Sequence, residues 1–169
     1  ILTGAVSDQL AAFLLDKTSG NPFFVEQLVL DLRERELVGQ HDNGEWVLSE
    51  AALVEVPSTV SAVLIARLDR LVSKVRSVVQ MASILGQEFE VRVLTRMLAG
   101  DLDVPGLVAE AETVGVWAPS REGYYNFRHA LLRDAAYDMQ LSDRQRALHG
   151  LAADAIESVY GDESTTQAT

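Results

Sequence analysis

The sequence predicts a mainly α-helical fold with small β-hairpins, and three observations support this prediction. Apolar residues recur at helical spacing in several segments, for example at Val60, Val63 and Leu64. Short alternating segments flank turn-forming pairs such as Asn43–Gly44. The chain has 169 residues, of which 48% are hydrophobic, and its sequence contains no apolar run long enough to span a bilayer.

Composition narrows the classes of function that are open to the chain. With 25 acidic and 14 basic residues the formal net charge is −11, so we expect no nucleic-acid partner. The sequence has no cysteine, which excludes disulfides, thiolate nucleophiles and cysteine metal sites. It opens without methionine and resembles neither a signal peptide nor a transit peptide. We therefore expect an excised, cytoplasmic piece of a longer protein, without a membrane partner.

The N-terminal part of the chain predicts two helices joined by a tight corner. Ser7 is the predicted N-cap of the first helix, which ends near Thr18. Gly20 favours a positive φ as a helix terminator, and Pro22 suits the first turn of a second helix that runs to about Leu37. The pattern is that of a structural corner. Its functional interpretation is that Pro22 presents a flat apolar surface to a planar ligand.

A small hairpin is predicted over His41–Leu48, with its turn at Asn43–Gly44. We interpret His41 beside Asp42 as a solvated loop pair. No second histidine or carboxylate set has the spacing of a metal site, so none is expected.

The third helix is predicted to begin at Pro57–Thr59 and to end, with the first subdomain, around Val72. Its charged residues, Arg67, Asp69 and Arg70, are expected mostly to face water. Arg67 is also long enough to reach a neighbouring subdomain.

The second half of the chain predicts three short helices and a hairpin. The helices are Val75–Leu85, Phe89–Leu98 and a third from Asp103 to Gly115, and Val116–Ala118 pairs with Tyr124–Phe127. Three helices followed by a two-stranded wing is the order of a winged helix.

The predicted organisation has three parts. Residues 1–72 form a helical subdomain with a small hairpin, and residues 73–141 form a winged-helix subdomain. Residues 142–169 form a C-terminal helix, capped at Ser142, and a polar tail that is frayed from Gly161.

The segment Tyr125–Tyr137 changes its period in the middle. Tyr125 and Phe127 alternate with polar residues as in a strand, whereas Leu131 and the apolar residues after it have helical spacing. His129 lies at the junction, where backbone N–H groups and the helix dipole suit phosphate and an imidazole can donate to it. From these residues alone, packing or capping is the simpler interpretation of His129.

Four segments carry a resemblance to a known family. They are Gly20–Leu28, Ile65–Leu71, Ala82–Phe89 and Phe127–Tyr137. In this order and spacing they resemble the lid and winged-helix part of a STAND-class signalling ATPase, an AAA-related switch. The similarity is greatest to the bacterial predictor-like ATPases of LuxR-type regulators and of proteins with class III nucleotide cyclases. It covers the chain to about Tyr160.

The resemblance implies cofactor-binding residues for ATP or ADP. A Gly-x-Pro turn of the family's lid packs against adenine, and Gly20, Asn21 and Pro22 match it. A histidine of the family's winged helix contacts the β-phosphate of ADP, and His129 matches it. The chain departs from the family at Ala130, where many relatives have aspartate, so the acidic group beside the histidine is missing.

The resemblance implies a regulatory role rather than catalysis. The sequence contains no phosphate loop of the G-x-x-x-x-G-K-[ST] type and no Ser/His/Asp signature, so we expect no catalytic residue and no turnover. The resemblance implies the C-terminal half of an ATP/ADP-dependent switch. A P-loop domain would lie upstream, and helical repeats or an output region, either a cyclase or a transcriptional regulator, downstream. ADP would hold a closed form, and exchange for ATP would weaken the His129 contact and release the winged helix.

Two other classes of function stay open. A winged-helix module that binds DNA is favoured by the order of helices and disfavoured by the net charge, and a salt-dependent DNA titration distinguishes it. A helical adaptor that binds proteins without nucleotide contact is the other alternative. Finding a P-loop upstream of this chain distinguishes the switch from the adaptor.

Overall fold

Helices dominate the structure, as the periodicity of the sequence predicts. The computed structural model describes residues 2–49, 51–52, 59–98, 100 and 102–166, with side chains as far as residue 161. These residues form eight helices, one two-stranded sheet and one three-stranded sheet, both antiparallel. The prediction of a mainly α-helical fold with small β-hairpins is confirmed. Within the described ranges, no helix combines the length and the apolar character that a membrane crossing requires.

Two compact units divide the chain, Ile1–Arg67 and Leu68–Thr169, and we call them the N-terminal unit and the C-terminal unit. The sequence predicts subdomain limits after residues 72 and 141. The contacts place the division within a helix, and the last helix of the chain belongs to the C-terminal unit.

The described part of the N-terminal unit contains three helices and one hairpin. Its elements are α1 (Asp8–Thr18), α2 (Pro22–Glu34), β1 (Val38–Gln40), β2 (Trp46–Leu48) and α3 (Val60–Arg70). Ser7 caps α1 as predicted, because its Oγ accepts the Leu10 N–H at 3.3 Å. The predicted start of α3 at residues 57–58 lies outside the described residues. The Oγ1 of Thr59 accepts the Ala62 N–H at 3.2 Å, as a helix cap does.

The helix α2 ends at Glu34, earlier than the predicted end at Leu37. Glu36 has a φ of 56°, and its N–H donates to the Arg33 carbonyl at 3.1 Å. The Leu37 N–H donates to the Leu32 carbonyl at 2.8 Å. These two bonds form the Schellman pattern of a helix C-terminus. Leu32 and Leu37 are both buried, so apolar packing supports an end that periodicity does not reveal.

The hairpin includes the predicted segment His41–Leu48, but its first strand, Val38–Gln40, lies before that segment. β1 and β2 pair antiparallel, with Val38 opposite Leu48. The Gly44 N–H donates to the His41 carbonyl at 2.8 Å, so Asp42 and Asn43 form the centre of the turn, one position before the predicted pair Asn43–Gly44. Gly44 ends the turn with a φ of 82°. His41 is exposed, in agreement with its predicted place in a solvated loop.

The core of the N-terminal unit draws on its helices and on the hairpin. Its buried apolar members are Leu10, Phe13, Phe24, Leu28, Leu32, Leu37, Val38, Leu48, Ala52 and Val63. The helical members lie on the inner faces of α1, α2 and α3, which are the stripes that the helical spacing predicts. Val38 and Leu48 come from the hairpin, and Leu37 and Ala52 lie outside these helices and strands.

Arg67 lies inside the N-terminal unit, so the prediction that it mostly faces water is wrong. Its side chain is 9% exposed and lies against α2. The guanidinium donates to the Glu34 carboxylate from Nε at 3.3 Å and from Nη2 at 3.1 Å, and from Nη1 to the Gln27 side chain. Because a carboxylate and an amide on α2 both accept from it, burial of this charge is compensated.

The C-terminal unit contains five helices and three strands within the described residues, after the end of α3. Its elements are α4 (Ser73–Leu85), β3 (Glu88–Glu90), α5 (Val91–Leu98), α6 (Val104–Thr113), β4 (Trp117–Arg121), β5 (Tyr124–Phe127), α7 (Ala130–Asp138) and α8 (Ser142–Thr166). Local signals again act as predicted. Gly86 follows α4 with a φ of 121°, and Asp103 caps α6 by accepting the Gly106 N–H at 3.0 Å.

A single helix over Phe89–Leu98 was the prediction, and it is wrong at its start. Glu88–Glu90 is the strand β3, which pairs antiparallel with β5, and the helix α5 begins only at Val91. The three-stranded sheet has the order β3-β5-β4. Phe89 is buried, and in the sequence it lies between Glu88 and Glu90, a polar–apolar alternation that is typical of a strand. Its ring stacks on that of Tyr125 in β5, with 6.1 Å between the ring centroids.

Trp117 lies at the centre of the aromatic core of the C-terminal unit. It is fully buried, and its ring centroid lies 4.8 Å from that of Phe89 and 5.4 Å from that of Phe127. Its Nε1–H donates to the Val108 carbonyl at 2.9 Å. The sheet and the helix α6 therefore meet at one side chain.

The helix α8 packs on α4 and α5 and continues past Gly161 to Thr166. The sequence predicts a frayed tail from Gly161, and this is wrong for the backbone as far as Thr166. A single glycine in a helix costs only about 1 kcal/mol relative to alanine and does not by itself end it. The rest of the predicted tail, residues 167–169, lies outside the described residues.

Candidate functional site

The corner between α1 and α2 is built by short-range hydrogen bonds. The Oγ1 of Thr18 donates to the Leu14 carbonyl at 2.7 Å and accepts the Gly20 N–H at 3.3 Å. Ser19 and Gly20 both have positive φ, 49° and 76°. A Cβ at Gly20 would meet its nearest neighbour at 3.9 Å, so the backbone conformation rather than space favours glycine here.

Asn21 and Pro22 then start α2 in the manner that the sequence predicts. The Oδ1 of Asn21 accepts the Phe24 N–H at 3.2 Å, and Pro22 occupies the first helical position, where its missing N–H has no intrahelical role. Both residues are exposed. The corner therefore holds the Pro22 ring at the surface in one orientation.

Pro22 lines an apolar groove that lies entirely within the N-terminal unit. The groove has a volume of about 390 Å³. Its lining residues are Leu2, Val6, Leu14, Pro22, Val25, Glu26 and Val29. Four of these come from α2 at the spacing i, i+3, i+4, i+7, so one face of that helix forms a wall.

The groove suits a largely apolar group. Its volume lies within the range of small-molecule sites, and six of its seven lining residues are apolar. Glu26 supplies the single carboxylate of the lining, which can accept a hydrogen bond from an amino group. Of the predicted lid residues, Pro22 faces the groove, whereas Gly20 and Asn21 shape the corner and are not among the lining residues that the structure describes.

His129 belongs to the C-terminal unit and caps α7. It has an extended backbone, with φ at −151°, and its Nδ1 accepts the Leu131 N–H at 3.2 Å. The imidazole is half-buried. An Nδ1 that accepts carries no proton, so the proton of the neutral ring is on Nε2.

The start of α7 is less open to phosphate than the sequence predicts. The junction was expected to offer free backbone N–H groups, but the Leu131 N–H is bonded to the imidazole and the Leu132 N–H donates to the His129 carbonyl at 3.0 Å. The expectation of free donors is therefore wrong for these two groups. An anion near His129 would meet the Nε2 side of the ring rather than these amides.

The four predicted site residues are divided between the two units. Gly20, Asn21 and Pro22 form one corner in the N-terminal unit, and His129 lies in the C-terminal unit. Ala130, where relatives of the resembled family have aspartate, is the exposed first residue of α7. No set of three or more histidine, aspartate or glutamate side chains suited to a metal ion occurs in the described residues.

Two groups of residues were missed in the sequence. Val25, Glu26 and Val29 line the groove, and their helical spacing from Pro22 was a usable signal. A second group joins Glu90 to Tyr160, seventy positions further along the chain, and no local pattern could reveal that pair.

Comparisons of the chain with protein-family models, with curated proteins and with solved structures found no match. What the site does is therefore inferred from its own geometry and chemistry.

Proposed function

We propose that this chain is the regulatory part of an ATP/ADP-dependent signalling switch. Its N-terminal unit contributes the adenine contact, through Pro22 and the groove beside it. Its C-terminal unit contributes the phosphate-sensing contact, through His129. The chain itself carries out no turnover, and a P-loop domain and an output region of the parent protein, a cyclase or a transcriptional regulator, complete the switch.

The observation that carries this proposal is the apolar groove lined by Pro22. A purine base is planar and needs apolar surface on its faces, which Pro22, Val25 and Val29 can provide from one helix. Glu26 at the groove can accept a hydrogen bond from an exocyclic amino group. When bound, the nucleotide supplies a planar base, for which the groove offers apolar surface.

Pro22→Ala is expected to weaken adenosine binding to this chain about tenfold. The substitution removes two ring methylenes from the groove, at about 0.8 kcal/mol each, and each 1.4 kcal/mol is tenfold in affinity. A methyl NMR titration with adenosine measures it, through the signals of Leu14, Val25 and Val29 at the groove. Adenosine carries no phosphate, so the result reports the base contact alone.

Pro105→Ala is the matched control, because Pro105 also lies exposed in the first turn of a helix, α6, but in the other unit. This variant should bind adenosine as the unchanged chain does. If adenosine moves no groove signal, or if Pro22→Ala leaves the affinity unchanged, the adenine role of Pro22 is wrong.

A DNA-binding function is the alternative that the element order favours. Three helices, α4 to α6, precede the β4–β5 hairpin, which is the order expected for a winged helix. The last of these helices, Val104–Thr113, would be placed to read DNA, yet it contains Glu110 and Glu112 and neither lysine nor arginine. Readout of bases and phosphates relies on basic and amide side chains, so this helix opposes the alternative.

Duplex DNA is therefore expected to bind this chain no more tightly than the micromolar range of non-specific complexes at physiological salt. The physical reason is repulsion between phosphates and a chain with 25 acidic and 14 basic residues. A fluorescence-anisotropy titration with a pool of random duplexes, repeated at several salt concentrations, measures the affinity. A tighter, sequence-selective complex whose affinity falls steeply with salt would contradict the switch and support the DNA-binding alternative.

A further inference from the structure

A buried carboxylate links the sheet of the C-terminal unit to its last helix. Glu90, at the end of β3, is 6% exposed and lies opposite Tyr124 in the β3–β5 register. The Tyr124 hydroxyl donates to its Oε2 at 3.0 Å, and the Tyr160 hydroxyl of α8 donates to the same oxygen. Arg92 pairs with the other oxygen, Oε1. Four side chains from β3, β5, α5 and α8 therefore meet at one charge.

The hydrogen bonds favour the charged form of this carboxylate. Burial alone would raise the pKa of Glu90, but hydrogen bonds from Tyr160, Arg92 and Tyr124 outweigh burial and hold that pKa below its ordinary value. The bond to Glu90, followed by the contact with Tyr124, raises the pKa of Tyr160 far above that of a free tyrosine. At neutral pH Tyr160 is therefore a protonated donor to the ionised Glu90 carboxylate, which makes this bond charge-assisted.

Tyr160 occupies a particular position on α8. The earlier part of the helix is held by apolar packing, since Leu148, Ala152 and Ala155 are buried against residues of α4 and α5. Ile156 is 44% exposed, and Tyr160 bears the last side chain of α8 that the structure describes. Val159 still packs, partly buried, against this core, and Tyr160 adds a polar contact directly after it.

We propose that Tyr160, Glu90 and Tyr124 form a clasp that fixes the last turns of α8 to the three-stranded sheet. Opening of the clasp releases these turns while the rest of the C-terminal unit stays folded. Polar networks of this kind hold cooperatively, because loss of one member leaves the buried charge under-satisfied. Local opening is the expected behaviour of a helix end whose side chains, over residues 156–160, are exposed or only partly buried.

The clasp connects the three-stranded sheet of the C-terminal unit to its last helix. Tyr124 lies on the central strand of the sheet, and Tyr160 lies near the end of the last described helix. A displacement of β5 relative to β3 would separate Tyr124 from Glu90 and weaken the attachment of α8. This proposal concerns contacts within the C-terminal unit and does not depend on nucleotide binding.

Hydrogen exchange of the full 169-residue chain tests the clasp. In Tyr160→Phe, the amides of residues 157–166 should exchange roughly tenfold faster, since a hydrogen bond to a charged group of this kind contributes at least a factor of ten. Amides of α4 and α5 should keep their protection. Unchanged exchange near the end of α8, or an equal acceleration throughout the unit, would overturn the proposal.

Tyr137→Phe is the matched control. The Tyr137 hydroxyl also contacts α8, because it lies 3.1 Å from the Nε2 of His149, in the earlier part of the helix. Its loss should leave residues 157–166 unchanged, and equal acceleration in this variant would contradict a role specific to the clasp.

Glu90→Gln adds a double-mutant cycle with Tyr160→Phe. If the two residues act in one clasp, the double variant should open little more than the more affected single variant. Additive effects on the exchange of residues 157–166 would show that Glu90 and Tyr160 act separately, and the clasp would be wrong.

Discussion

Replacing His129 with serine in the parent protein is expected to lower ADP affinity by about 10- to 150-fold with little change in melting temperature. Under the proposed function the imidazole donates to the β-phosphate, and a hydrogen bond to a charged group contributes about 1.5–3 kcal/mol. Serine is a favoured N-cap whose hydroxyl can accept the Leu131 N–H in place of Nδ1. It is too short to replace the imidazole as a donor to the ligand. Isothermal titration with ADP and thermal unfolding of the same preparation measure the two quantities.

His129→Ala separates the two roles of the residue. It removes the donor and also the capping bond to Leu131, so ADP affinity should fall as in the serine variant while stability drops by about 1 kcal/mol. The sequence places His129 outside the core and so predicts little loss of stability in this variant. The observed capping bond increases the expected loss. ADP binding that is unchanged in both variants, with a lower stability in the alanine variant alone, would mean that His129 only caps α7.

Trp117→Ala is expected to destabilise the C-terminal unit by about 3–5 kcal/mol, the range for a large aromatic side chain removed from a core. Trp117 is fully buried, and its removal also leaves the Val108 carbonyl without its indole donor. Since domains are typically stable by only about 5–15 kcal/mol, this loss is a large part of the total. Urea unfolding followed by circular dichroism measures it.

Two further variants identify the source of that loss. Trp117→Phe keeps most of the apolar contact with Phe89 and loses the bond to Val108, so about 1–3 kcal/mol is expected. Trp46→Ala is the control: Trp46 is half-buried, and its Nε1–H donates to the exposed Thr3 carbonyl, so a smaller loss is expected. A loss below 1 kcal/mol for Trp117→Ala would contradict its central place in the core.

The sequence predicted the elements that depend on neighbours within a few positions. Ser7 and Asp103 cap their helices through amides three residues away, and Gly44 turns the hairpin by bonding to His41. The corner at Gly20–Pro22 was predictable for the same reason, because its hydrogen-bond partners lie within four residues. Such short-range contacts depend on the types of neighbouring residues, so they can be predicted from the sequence alone.

The candidate site was predictable only in part. The position of Pro22 at the surface followed from the local corner, whereas the groove wall on α2 was missed, although its helical spacing from Pro22 was a usable signal. The other side of the groove comes from Leu2 and Val6, before α1, and the sequence carried no signal for them. At His129 the junction was predicted, but the capping bond to Leu131 was only one of the interpretations that its residues left open.

The sequence by itself determined the helical class, the caps and turns, and the exposed corner at Pro22. Tertiary structure alone decided that Glu88–Glu90 is a strand, because its partners on β5 lie more than thirty positions away. It also decided that Arg67 lies against α2 rather than in water and that Tyr160 reaches Glu90. Periodicity shows which face of an element is apolar, but not which distant element will cover that face or satisfy a charge on it. That choice is made when the whole chain packs, since each buried polar group must then find a partner.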